Sequence, residues 1–149
     1  MVKSFLFAAE AGFEEQGTES LAMGNPLSAA SEQIKRAAAR QIRLRDRRRE
    51  AAHARVADAR SEVERLARVF LKIDPALEKL ILFGSLARGD VTTSDFDIDL
   101  AVAGSRDSFL RLVAEALNSP FDVDLVDLDA ADERIRRSIL RDGIVLYEK

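Results

Sequence analysis

From Ser31 to Ile73 the chain contains neither Gly nor Pro, and Val56, Ala59, Val63, Leu66, Phe70 and Ile73 recur at three- and four-residue steps. Such spacing places the apolar side chains on one face of a 3.6-residue repeat and predicts one long amphipathic helix. Pro75 disfavours helical geometry at the residue before it and has no N–H to donate, so the helix should stop near Asp74. Beyond Pro75 the period changes. Lys79-Leu80-Ile81-Leu82-Phe83 is a short, nearly continuous apolar run closed by Gly84, as in a buried strand. A second strand is predicted over Asp97 to Ala103 and a third over Phe121 to Leu128. Between them Ser105 can cap a helix that carries Leu110, Val113 and Leu117 on one face, with Asn118-Ser119-Pro120 as its stop. Asp129 can cap a last helix bearing Ile135 and Ile139. Gly143 would supply its left-handed C-terminal residue, and Ile144 to Tyr147 a closing strand.

This pattern divides the chain into a leader over residues 1–30, a helical extension over 31–74 and a domain over 75–149. The leader mixes Gly12, Gly17, Gly24 and Pro26 with several serines and shows no sustained period; Met23 is an alternative start. The apolar run Phe5 to Ala9 is cut off by Glu10, too short for a secretory signal. The domain reads as a small α/β (α+β) unit, a sheet of about four strands packed with helices.

Composition narrows the chemistry. Of the 149 residues 47% are hydrophobic and 33% charged, the balance of a soluble globular protein, and no apolar run approaches a membrane span. There is no cysteine, which removes disulfides, thiolate zinc sites and cysteine nucleophiles and suits a reducing cytoplasm. Residues 1–75 carry 14 Lys/Arg against 11 Asp/Glu, whereas residues 76–149 carry 9 against 15. Lys35 to Arg49 holds eight basic residues against Asp46 alone. It contains no aromatic to stack on bases, so specific nucleic-acid binding is not expected; a solvated face or a contact to an acidic partner is. The stripe from Val56 to Phe70 reads as core or as an oligomer seam.

The segment Gly84 to Val102, GSLARGDVTTSDFDIDLAV, holds the candidate chemistry. Gly84-Ser85 follows a strand directly, where Gly allows close backbone approach and free N–H groups can face a phosphate. Asp97-Ile98-Asp99-Leu100-Ala101-Val102 alternates strictly, which sets both carboxylates on one strand face. Like charges there repel unless a hard divalent cation lies between them, and Mg²⁺ accepts carboxylate oxygens together with substrate phosphates. Asp122-Val123-Asp124-Leu125 offers a third carboxylate; Asp124 lies deeper in its strand than Asp122, which adjoins the turn at Pro120.

A GS pair, a spacer, DxD on the next strand and a single Asp on a third resembles the DNA polymerase beta type nucleotidyltransferase superfamily, and most closely its minimal, MNT-type members. The likeness covers roughly residues 65–149, including the ending ILRDGIVLYEK. It implies a polymerase-beta-like fold in which Gly84 and Ser85 hold the phosphates of ATP or another NTP and Arg88 neutralises their charge. It further implies that Asp97 and Asp99 bind two Mg²⁺ ions, with Asp124 completing the site and helping to activate the attacking hydroxyl. Eleven residues separate Ser85 from Asp97, where minimal members usually have ten. An alternative register pairs Asp95 with Asp97; the strand ending Asp99-Leu100-Ala101-Val102 favours the later pair. The resemblance implies adenylyl transfer to a partner protein, as by antitoxins of HEPN-type toxins. A silent antitoxin acting by stoichiometric contact and a small-molecule nucleotidyltransferase are the alternatives.

Overall fold

The computed structural model describes residues 24–149. Most of the expected leader, with Met23, lies outside them. Helix α1 runs over Pro26–Ile73, starting five residues before the expected Ser31. The sequence signal for that start is Asn25-Pro26: the Asn25 side chain accepts a hydrogen bond from the Leu27 N–H at 3.1 Å, and proline suits the first helical position. At the other end Asp74 and Pro75 make the stop. Asp74 Oδ1 accepts from the Ala76 N–H, and its carbonyl accepts from Leu77.

Four strands follow, β1 (Lys79–Phe83), β2 (Ile98–Ala103), β3 (Val123–Asp127) and β4 (Ile144–Glu148), with helices α2 (Gly84–Arg88), α3 (Phe109–Leu117) and α4 (Glu133–Asp142) between them. They form one mixed sheet in the order β3-β2-β1-β4. β1 pairs antiparallel with β2 and β4, whereas β2 and β3 are parallel, so the link between them must cross over a sheet face and does so through α3.

The chain divides into two compact units, the first ending at Arg45 and the second running over Asp46–Lys149. Within the second, strand alternation makes two apolar layers. Leu80, Leu82, Ile98, Leu100 and Val102 face Val63, Leu66 and Phe70 of α1 and Leu112 and Ala116 of α3. Ile81 and Ala101 face Leu128 and Ile139 on the other side. The stripe read from Val56 to Ile73 therefore buries in the domain core. Arg65 ties α1 to α3, donating to Glu62 at 2.8 and 2.9 Å and to Glu115 at 2.9 Å. Within the first unit, the helical residues Pro26 to Arg45 are exposed apart from the half-buried Ala39.

Several local expectations are corrected. The inward face of α3 carries Leu112 and Ala116, while Leu110 and Leu117 are each 78% exposed. A short 3-10 turn at Arg106–Ser108 precedes α3 and shifts its phase. Ser105 does not cap through its side chain; its hydroxyl is buried without a hydrogen-bond partner among the described residues. Asp132, not Asp129, caps α4, accepting from the Ile135 N–H at 2.9 Å. Asp129 instead accepts from the Gly104 N–H at 2.7 Å. Of the two isoleucines expected on α4, Ile139 is buried and Ile135 is exposed. Gly143 is extended rather than left-handed (φ −80°, ψ 158°); a Cβ there would overlap Ile81, so packing requires the glycine.

Candidate active site

The site is built where β1 ends and β2 and β3 begin. Antiparallel register sets Phe83 opposite Asp99, and the parallel register sets Asp99 opposite Asp124. Residues paired in this way present side chains on the same sheet face. Asp97 lies exposed just before β2. The Asp99 carboxyl is pushed above its ordinary value of 3.8, by burial first, then by the charges of Asp124 and Asp97, with Arg88 opposing. The charges of Asp124 and Asp97 thus both reach Asp99. Asp122 contributes its carbonyl, which accepts from the Ile98 N–H at 2.8 Å and fixes the start of the parallel pairing. Asp95 is exposed ahead of the strand, its carbonyl accepting from the Thr93 hydroxyl at 3.1 Å.

Gly84 is required twice over. Its φ is +73°, and a Cβ would overlap Asp99 Oδ2 and come within 2.8 Å of Asp99 Cγ. The backbone between β1 and α2 therefore lies directly against the Asp99 carboxylate, an approach only glycine permits. Ser85 is half-buried in α2, and its carbonyl accepts from Gly89 and Asp90, closing the turn through the left-handed Gly89. Arg88 is exposed and paired with Asp90 at 2.9 Å while still countering the charge of Asp99.

Sequence reading missed an aromatic support. Phe96 and Phe121 lie with ring centroids 6.4 Å apart, and the Arg55 guanidinium sits 4.0 Å over the Phe121 ring. Phe96 precedes Asp97 and Phe121 leads into β3, so this stack braces the entry of both acidic segments. The signal was present, since each aromatic immediately precedes an Asp, but Arg55 comes from a distant helix that no local pattern connects. A groove of about 620 Å³ lies at the opposite end of the sheet, beside Lys79, Ala103, Leu128 and Glu148. Its charges are mixed and internally engaged: Lys79 pairs with Glu148, and Arg136 donates to the Leu128 carbonyl.

Among the described residues no three His, Asp or Glu side chains are gathered as a ready-made metal site. The expected ion, Mg²⁺, keeps water and substrate phosphates in its shell and takes one or two protein carboxylates. The oxygen donors, the absence of thiolates from the chain and the mutual repulsion at Asp99 fit such an ion.

The family model for polymerase beta nucleotidyltransferases matches residues 65–149, more than half of the chain. The chain belongs to this family. Its nucleotidyltransferase domain is similar to several solved structures of the MNT antitoxin type. One is a mutant MntA-HpeT toxin-antitoxin, 28% identical over 60% of this chain and 72% of the other, with a TM-score of 0.47. A toxin-antitoxin solved with AMP-PNP is 30% identical over 60% and 73%, with a TM-score of 0.45. The tri-AMPylated Shewanella oneidensis HEPN toxin in complex with MNT antitoxin gives 29% over 60% and 69%, with a TM-score of 0.40. No curated protein matches the chain.

Proposed function

We propose that the chain moves AMP from ATP to a hydroxyl on a partner protein and so acts as the antitoxin of a HEPN-type toxin. The observation that carries the transferase reading is the register that sets Asp124 directly beside Asp99, whose carboxylate lies against Gly84. Family membership supports nucleotidyl transfer, and the GS, DxD and single-Asp motifs with the ending ILRDGIVLYEK support the antitoxin class.

In this reading Gly84 and Ser85 seat the triphosphate, and Asp97 and Asp99 hold Mg²⁺, which supplies charge neutralisation on the phosphates and a lower pKa at the attacking hydroxyl. Asp124 orients that hydroxyl and takes its proton. The hydroxyl oxygen bonds to the α-phosphorus, the bond from that phosphorus to the bridging oxygen of the β-phosphate breaks, and pyrophosphate leaves. Arg88, freed from Asp90, offsets charge on the phosphates.

The test is intact mass of the protein encoded beside this chain after incubation with substoichiometric enzyme and Mg·ATP. The expected result is one or more AMP increments on the partner and lasting inhibition, both lost in Asp97→Asn. Neutralisation only at one-to-one ratio with no added mass would replace this reading with a silent binder.

A further inference from the structure

The matched family region begins at residue 65, so the N-terminal stretch of α1 lies outside it. That stretch, Pro26 to Arg45, is already helical yet presents an unburied seam that is apolar except at Gln41. Leu27, Ala30, Ile34, Ala37, Gln41 and Leu44 follow a three-four repeat, the a and d spacing of a helix-pairing surface. Leu27 is 76% and Ile34 70% exposed. Because the helix is preformed, a partner need not supply the ordering that makes short free helices marginal.

Charge selects the partner. Between Gly24 and Arg45 the cations Lys35, Arg36, Arg40, Arg43 and Arg45 stand against Glu32 alone, and only Lys35 has an ion pair among the described residues, with Glu32 at 3.3 Å. Arg40 and Arg45 occupy the positions flanking the seam. In a parallel, in-register pair of two copies, Arg40 of one would stand beside Arg45 of the other, and two such stretches would double an already positive charge. Self-pairing is thus opposed by the same residues that would attract carboxylates. No aromatic interrupts Lys35 to Arg49 to stack on bases.

We infer that the seam of α1 over Leu27 to Leu44 is a docking surface for an acidic amphipathic helix of a partner protein. The partner helix lays small and aliphatic residues along the seam and aligns Glu or Asp with Arg40 and Arg45. This goes beyond the transferase reading, and binding here needs neither nucleotide nor metal, so its failure leaves that reading standing.

The experiment uses the full chain and a labelled four-heptad helical peptide with Leu at a and d and Glu at e and g, followed by fluorescence anisotropy. Saturable binding is expected, at least about tenfold tighter than to the same peptide with Lys at e and g, and weakening as salt rises. Ile34→Gln, at an exposed site where folding is not at stake, should weaken it about tenfold. The double variant Arg40→Glu/Arg45→Glu should reverse the preference toward the Lys peptide. Equal affinity for both peptides overturns the inference. So does tighter binding to phosphatidylserine vesicles or to duplex RNA than to the Glu peptide, and so does a dimer by light scattering at the concentrations used.

Discussion

Position 84 combines a left-handed backbone with a carboxylate pressed against the Cα, and each alone would exclude most side chains. Gly84→Ala is expected to cost about 1–3 kcal/mol of stability from the forced φ, and to abolish transfer by displacing Asp99. Denaturant unfolding beside a transfer assay checks both. Asp99 itself is a stability liability through its burial and the nearby charges of Asp124 and Asp97. Its folded carboxyl titrates above its unfolded value, so its contribution is most favourable below about pH 4 and declines as pH rises through the folded value. At neutral pH and without Mg²⁺, Asp99→Asn should therefore raise the melting temperature by a few degrees while removing the gain that Mg²⁺ gives the wild type. A lower melting temperature in the variant would count against the repulsion. Asp99→Asn should abolish transfer and Asp95→Asn should retain most of it; the reverse would shift the metal pair to the earlier register. Glu62 has the opposite sign. Its hydrogen bond to Arg65 holds it below its ordinary 4.5, so the stability it lends is full above that value and is lost on acidification. Glu62→Gln should flatten the acid limb of the stability profile.

Among the elements, α3 shows where periodicity misleads. Leu110, Val113 and Leu117 form a good apolar stripe, yet the face turned to the sheet carries Leu112 and Ala116. Both choices satisfy a helical repeat, because seven of the nine residues of α3 are apolar and only Arg111 and Glu115 mark its polar side; the 3-10 turn before it sets the phase, and nothing in the local pattern shows that turn. Leu112→Ala is expected to cost about 2–5 kcal/mol and Leu117→Ala well under 1, measured by urea unfolding. Strands were more legible. Continuous apolar runs and strict alternation marked β1 and β2 closely, since a two-residue period admits only two phases and the wrong one would bury aspartates. Caps were less so, because Asp129 and Asp132 are chemically equal candidates and only the long-range bond from Gly104 decides between them. Gly143 was read as a turn residue, whereas Ile81, far away in sequence, and the nearby Ile139 carbonyl leave no room for a side chain there.

For the whole molecule, the C-terminal part of α1 belongs to the domain core through Leu66 and Phe70, both fully buried. A fragment starting at residue 46 should fold cooperatively, whereas one starting at residue 75, lacking those side chains, should not; circular dichroism melts distinguish them. Phe70→Ala in the intact chain is expected to cost about 3–5 kcal/mol. The candidate carboxylates were legible as types and spacings, but that Asp124 stands beside Asp99 is a fact of parallel pairing, which sequence alone leaves open. That pairing has a consequence in time. Asp99 and Asp124 meet only after the connection through α3 has closed and β3 has docked on β2. Parallel contacts across such a crossover carry a loop-closure cost that defers them. On the proposed function, a chain still short of that step has no place for Mg²⁺. Saturating Mg²⁺ is accordingly expected to slow unfolding and leave the refolding rate nearly unchanged, so that in stopped-flow traces only the unfolding arm moves.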